Sequence, residues 1–228
     1  MPYALWRPDG AFRSTIRARP GPAKEGGPDG RAPCTPARDN ARMEQARPEA
    51  DPATVWTVGH STLSWDAFLA LLAAWDIQAV ADVRRFPGSR RWPWFAGQAM
   101  ERALPEAGVG YLWLPELGGR RKPRPDSPNG GWRNESFRGY ADHLGSAEFA
   151  RGLDRLLALA ARRRTAIMCA EAAWWRCHRG LVSDVLKLRG IEVVHITGPG
   201  RGSVHPYTPP ARIIGGRLAY PPVQPQLL

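Results

Sequence analysis

The chain has 228 residues, enough for one sizeable domain with a full hydrophobic core. Its net charge of +11 favours nucleic acid, nucleotides or another anionic partner. The sequence contains no apolar run near the ~18 residues of a membrane span and no secretory signal. Its three cysteines, an odd number, exclude a disulfide framework, so we expect a cytoplasmic protein with reduced thiols.

Residues 1–50 form a basic extension rich in proline and glycine, without sustained hydrophobic periodicity. Such a segment buries too little apolar surface to offset its chain entropy, so we expect it to be disordered. Met43 is an alternative start, in which case residues 1–42 are upstream sequence. The functional alternative is a flexible basic arm that contacts nucleic acid. Residues 51–228 are predicted to form a single α/β domain.

Short apolar runs then alternate with helical patterns. Residues 55–58 predict a strand, and Ser64 can cap a helix whose apolar residues recur at helical spacing. A second strand is predicted over residues 78–83, a short helix over 97–107 and a third strand over 111–114.

The second half of the chain continues this alternation. A loop rich in Gly, Pro and Arg covers residues 115–135, and Ser146 can cap the next helix. A fourth strand is predicted over 165–168, followed by a helix that ends at Gly190 and a fifth strand over 192–196. Strands separated by helices predict a three-layer α/β sandwich with a mostly parallel central sheet flanked by helices.

Polar residues follow four of the predicted strands. They are Gly59-His60-Ser61, Asp82-Val83-Arg84, Cys169-Ala170-Glu171 and His195-Ile196-Thr197. Because the carboxyl ends of parallel strands meet at one edge of a sheet, and ligands bind at that edge, these residues predict a common cleft.

The run CAEAAWWRCHR, residues 169–179, lies where the fourth strand leads into a helix. A helix start favours anions, and Arg176 and Arg179 add positive charge. Cys169 is therefore a candidate nucleophile with a stabilised thiolate; the alternative is a small buried residue at a strand end. Cys177 is expected to pack at the helix start, with a redox pair to Cys169 as the alternative.

The remaining polar residues of this edge have two interpretations each. His178 can act as a general acid or base, or as a hydrogen-bonding strut. Arg179 can bind phosphate, or pair with an acid such as Glu171 or Asp82. Gly59 makes a tight turn that directs His60 into the cleft.

The Cys-x7-Cys-His spacing is not that of a recognised zinc site, so the sequence predicts no metal and no cofactor.

Basic residues alternate with aromatic residues in the loops. Arginine and lysine bind phosphates, and aromatic faces stack bases at roughly 1–3 kcal/mol each. The alternative is a loop packed on itself, with solvated arginines. The expected nucleic-acid contacts are Arg90, Arg91, Trp92, Arg120 and Arg121.

Six motifs occur in the order found in the domain-of-unknown-function-488 family, which this chain resembles over about residues 55–215. They are TVGHS (57–61), DVRRFPGS (82–89), ELGGRR (116–121), SFRGYADHL (136–144), CAEAAWWRCHR (169–179) and VVHI (193–196). The resemblance implies no particular reaction. The fullest form of the cysteine motif, CAE-x-x-P-x-x-CHR, has proline where this chain has Trp174.

These patterns predict an enzyme that acts on a phosphate-bearing substrate, a nucleotide or nucleic acid, in a cleft at the carboxyl edge of the sheet. The alternatives are a non-catalytic nucleic-acid-binding protein and a sensor of small anions or nucleotides. The expected catalytic residues are Cys169, Glu171, His178 and His60. The expected anion-binding residues are Ser61, Asp82, Arg84, Arg176, Cys177 and Arg179.

Overall fold

Six strands form one mixed sheet in the computed structural model, which describes residues 54–222. They are β1 (Thr54–Gly59), β2 (Ala79–Asp82), β3 (Gly110–Trp113), β4 (Thr165–Cys169), β5 (Glu192–Gly198) and β6 (Arg201–Val204). The order across the sheet is β3-β2-β4-β1-β5-β6. Only the β5–β6 pair is antiparallel within this sheet. The five predicted strands are confirmed, whereas the prediction for residues 1–50 falls outside the described residues.

Five α-helices accompany the sheet. They are α1 (Trp65–Ala73), α2 (Gly97–Glu106), α3 (Glu135–His143), α4 (Ala147–Ala160) and α5 (Arg179–Leu188). The predicted caps are confirmed, because Ser64 Oγ accepts from the Ala67 N–H and Ser146 Oγ accepts from the Phe149 N–H. Short 3₁₀ turns lie at Pro93–Phe95, Pro115–Leu117 and Trp174–Arg176.

The sheet buries an apolar cluster on each face, which confirms the three-layer sandwich. Alternate residues of one strand point to opposite faces, so Val55 and Trp56 of β1 belong to different clusters. Helices α1 and α2 contribute to the cluster around Trp56. Helices α3, α4 and α5 contribute to the cluster around Val55. None of the helices among residues 54–222 is long and apolar enough to cross a membrane.

One helix, one strand of the main sheet and a hairpin of two further strands were not predicted. Helix α3 carries Gly139 near its centre and has a mostly polar sequence, but Asn134 caps it by accepting from two backbone N–H groups. Strand β6 is short and exposed. The hairpin of β7 (Arg212–Ile214) and β8 (Arg217–Ala219) turns through Gly215 and Gly216, both with positive φ.

The carboxyl ends of β1, β2 and β4 lie side by side. Gly59 is level with Cys169, and Asp82 is level with Met168. A Cβ atom added at Gly59 would overlap the carbonyl of Glu171, so this glycine lets the end of β1 approach the loop after β4. The topology therefore brings together side chains that are more than 100 residues apart in sequence.

Candidate functional site

A cavity of about 660 Å³ opens at this edge of the sheet. The loops after β1, β2 and β4 line it together with segments of the loop between β3 and α3. Ten predicted site residues line it: His60, Ser61, Arg84, Trp92, Arg120, Cys169, Glu171, Arg176, Cys177 and His178. The other five do not: Asp82, Arg90, Arg91, Arg121 and Arg179. Three of the four predicted strand ends thus converge on the cavity, whereas His195-Ile196-Thr197 does not line it.

The floor of the cavity is formed by Cys169, Cys177 and His178. Nδ1 of His178 lies 3.7 Å from Sγ of Cys177 and 4.0 Å from Sγ of Cys169. The other ring nitrogen, Nε2, lies 2.9 Å from the carbonyl oxygen of Val83. Because a carbonyl only accepts, Nε2 carries the proton in the neutral ring, and Nδ1 presents its lone pair to both sulfurs.

The two cysteines are free, buried thiols whose pKa values move in opposite directions. The hydrogen bond to Cys177, together with burial, raises the pKa of Cys169 far above its ordinary value. Burial also raises the pKa of Cys177, but the Cys169 hydrogen bond and the charge and backbone N–H of Arg179 outweigh it and lower the value to about 7. The structure therefore does not support the expected thiolate character of Cys169, because the hydrogen bond between the two thiols and the charge of Arg179 stabilise the charge on Cys177 instead.

A buried ion pair forms the wall next to this floor. Arg84 donates from Nε and Nη2 to the two carboxylate oxygens of Asp82, at 2.8 and 2.5 Å, and from Nη1 to the Phe95 carbonyl. Tyr111 also donates to Asp82. Asp82 does not line the cavity, and the guanidinium of Arg84 is already paired. The expected anion-binding role of these two residues is therefore corrected to a structural pair.

His60 contacts the same ion pair. Its Nε2 lies 3.3 Å from Nη1 of Arg84, and its ring stacks on Phe95 with centroids 4.1 Å apart. Burial and then the positive charge of Arg84 lower the pKa of His60 to about 4. His60 is therefore neutral at pH 7 and presents no positive charge to a ligand.

Arg179 is buried behind the cavity. Its Nη1 and Nη2 donate to the backbone carbonyls of Glu171 and Ala172, at 2.5 and 2.7 Å. Its side chain is 1% exposed. The expected phosphate contact is therefore corrected: Arg179 fixes the backbone of the loop after β4. The expected alternative of a side-chain pair with Glu171 or Asp82 is wrong too, since its partners are carbonyls.

The opening of the cavity carries three other guanidinium groups. Arg85, Arg120 and Arg176 line it, and none of them forms an ion pair with an acid among residues 54–222. Arg120 has φ of +59°, a backbone conformation that is unfavourable for a residue with a side chain. Glu171 is an exposed acid of the same wall. The positive charge of this opening is therefore largely uncompensated.

A second basic cavity, of about 540 Å³, adjoins the first. The two cavities share Arg85, Phe86 and Arg120. Lys122 and Arg124 also line the second one. Arg121 lines it as well, but both of its terminal nitrogens donate to Glu148 at 2.9 Å, so the expected nucleic-acid contact is corrected to an ion pair within the protein.

A family model for the Domain of unknown function DUF488 matches residues 64–186. The chain belongs to this family. No curated protein matches the chain. The matched region runs from the residue that caps α1 into α5, and it includes the cavity floor. The family description states no activity, so the function is argued from the site.

The DUF488 domain also has cavity residues that sequence reasoning missed. Gly119 lies against the ring of His178, where an added Cβ would come within 2.8 Å of Nδ1. Arg85, Asn134 and Phe137 also line the cavity. The adjacent glycines of ELGGRR were a signal for close backbone approach. No local pattern indicates that the start of α3 reaches the cavity, because that contact is tertiary.

Proposed function

We propose that this chain is an enzyme acting on a phosphate-bearing substrate, a nucleotide or nucleic acid, in the cavity at the carboxyl edge of the sheet. The supporting observation is the set of arginines at its opening, Arg85, Arg120 and Arg176, which have no acidic partner among residues 54–222. Unpaired guanidinium groups around a concave site match the geometry and charge of phosphate.

The size and lining of the cavity support a nucleotide in particular. A volume of about 660 Å³ is within the range of small-molecule sites. Phe86, Trp92 and Phe137 line it, and the ring of Phe86 is 66% exposed. Exposed aromatic faces stack bases while the arginines bind phosphate, so one cavity serves both parts of the substrate.

The reacting groups of the proposed enzyme are those of the cavity floor and wall. Cys169, Cys177 and His178 form the floor, and Glu171 supplies the exposed carboxylate. His60 is neutral at pH 7 and contributes a hydrogen-bonding imidazole. We place this activity in the cytoplasm, because the two described cysteines are free thiols and a reducing compartment keeps them so.

Nucleotide binding by charge variants tests the proposal. We expect Arg120→Gln and Arg176→Gln each to weaken binding of a nucleoside triphosphate about ten- to hundredfold by calorimetry, the value of one charge-assisted contact. Arg162→Gln is the matched control, because this exposed arginine follows α4 and precedes β4, at the opposite edge of the sheet. Equal affinities for all three variants and wild type would contradict the proposal.

A non-catalytic nucleic-acid-binding protein is the second candidate. The two basic cavities share three residues, so the positive surface continues from Arg176 past Arg120 to Lys122, whereas Arg124 lies 3.8 Å from the carboxylate of Asp126. This length favours a strand of several nucleotides over a single one. Tight binding of oligonucleotides with no turnover of any nucleotide or nucleic acid would favour this candidate over the enzyme.

A further inference from the structure

The cavity floor gathers three donor atoms that metals of the zinc class prefer. Sγ of Cys169, Sγ of Cys177 and a ring nitrogen of His178 all lie within 4.8 Å of one another. Two of the residues come from the flanks of one loop, with Cys169 ending β4 and His178 preceding α5. The Cys-x7-Cys-His spacing fits no known zinc motif, but the fold brings the donors together across that loop.

The tautomer of His178 favours metal binding. Nε2 donates to the carbonyl of Val83, which leaves Nδ1 with a lone pair directed at the two sulfurs. Histidines that bind metals typically donate their other ring N–H to a carbonyl or carboxylate, which fixes the ring in this way. The hydrogen bond that orients a metal-binding histidine is therefore already present at Nε2.

The distances between the donors also fit a metal ion. Bonds of about 2.3 Å to sulfur and about 2.0–2.1 Å to nitrogen, at angles between tetrahedral and trigonal, place sulfur about 3.5–3.8 Å from nitrogen. The observed separations from Nδ1 are 3.7 Å for Cys177 and 4.0 Å for Cys169. For these two nitrogen–sulfur pairs, ion binding therefore requires shifts of a few tenths of an ångström, and the two sulfurs lie within 4.8 Å of each other.

Gly119 keeps space free beside the imidazole. A Cβ atom at this position would lie 2.8 Å from Nδ1 of His178 and 3.1 Å from Cγ. A side chain there would crowd the nitrogen that we assign as a ligand. Gly119 therefore lets the imidazole ring keep the position in which Nδ1 faces the two sulfurs, because a side chain at residue 119 would displace the ring.

We propose that Cys169, Cys177 and His178 bind one Zn²⁺-class ion through two thiolates and Nδ1, with the remaining coordination position facing the cavity. Three protein ligands and an open position are the arrangement of catalytic rather than structural zinc sites. An ion there would hold a water molecule or a substrate oxygen beside the arginines of the opening. This proposal goes beyond the proposed phosphate site and is tested without nucleotide.

Cobalt titration of the full-length, reduced and chelator-treated protein is the first test. We expect one Co²⁺ per chain, with the near-ultraviolet charge-transfer absorption of cobalt–thiolate bonds, and displacement by Zn²⁺. Cys169→Ser, Cys177→Ser and His178→Gln should each weaken binding at least about 100-fold, and Gly119→Ala at least about tenfold. Cys34→Ser is the matched control and should bind like wild type.

A second measurement needs no variant. Zn²⁺ should protect Cys169 and Cys177 of the wild-type protein from alkylation, read by peptide mass spectrometry, and should raise Tm. Four results would overturn the proposal: no charge-transfer absorption with wild type, absorption that survives both cysteine substitutions, a cysteine pair that alkylates equally with and without Zn²⁺, or protection confined to Cys34.

Discussion

The indole ring of Trp174 stacks on the imidazole of His195, with centroids 4.2 Å apart and planes within 6°. His195 belongs to a buried chain of hydrogen bonds: its Nδ1 lies 2.6 Å from Thr57 Oγ1, and its Nε2 lies 2.8 Å from Nδ1 of His205. His205 continues the chain to Asp184 at 3.0 Å. The stack therefore attaches the cysteine loop to the centre of the sheet.

Removal of this stack should destabilise the protein. We expect Trp174→Ala to lower the free energy of unfolding by about 1–3 kcal/mol, from a lost aromatic pair and lost burial, as measured by urea denaturation. Trp175→Ala is the comparison variant, because Trp175 is 60% exposed and meets Trp174 only edge-on, at 5.7 Å between centroids, so it should cost about 0.5–1 kcal/mol. Equal effects of the two substitutions would contradict a structural role for the stack.

Two buried histidines should make the protein less stable in mild acid. Burial and the charge of Arg84 lower the pKa of His60 to about 4, and burial and His205 lower that of His195 to about 3. Unfolded histidines bind protons near pH 6.5, before the folded ones do, so stability is full above that pH and falls as the pH drops towards 4.

Urea denaturation between pH 5 and 6.5 measures this slope, to which each histidine contributes up to about 1.4 kcal/mol per pH unit. His60→Gln should remove the contribution of His60 and leave that of His195. Stability that stays constant over this range in the wild-type protein would show that both rings bind protons as readily in the folded state as in the unfolded chain, so that their pKa values are not lowered.

Neighbouring arginines of the cysteine motif should respond differently to substitution. Arg179→Met removes two hydrogen bonds from a buried guanidinium, each worth about 1.5–3 kcal/mol, so the variant should unfold at much lower urea concentration. Arg176→Gln alters an exposed residue and should keep wild-type stability. Wild-type stability of Arg179→Met, with weaker nucleotide binding, would instead restore the anion-binding role predicted from the sequence.

Salt dependence should separate the two basic cavities. Lys122→Gln should leave mononucleotide affinity unchanged but weaken binding of a longer single strand, because Lys122 lines only the second cavity. For that strand, each lost phosphate contact should make the slope of log K against log salt shallower by about 0.7. Arg162→Gln is again the control. Identical slopes for Lys122→Gln and wild type would confine the ligand to the first cavity.

Much of the fold could be predicted because its elements have local signals. Five strands and four helices have apolar runs, periodicity or capping serines in the sequence, and the convergence of His60 and Cys169 follows from parallel strand order. Helix α3 was missed because a central glycine and polar residues give it little intrinsic preference, and packing of Tyr140 stabilises it instead.

The partners of charged side chains could not be predicted in the same way. Arg84, Arg121 and Arg179 look alike in sequence, but the fold pairs them with Asp82, with Glu148 and with backbone carbonyls. The charge that remains for a ligand belongs to other arginines. Which of the two cysteines has the lower pKa likewise depends on the hydrogen bond between them and on the charge and backbone N–H of Arg179.

The strand order has a consequence for synthesis on the ribosome. Strand β1 lies between β4 and β5, and both of these neighbours begin after residue 164. The first strand of the domain therefore leaves the ribosome with both of its edges unpaired, and its pairing partners are synthesised only after more than 100 further residues. A nascent chain that stops before β4 exposes these edges, so we expect it to need chaperones. Such a chain also contains no residue of the cavity floor formed by Cys169, Cys177 and His178.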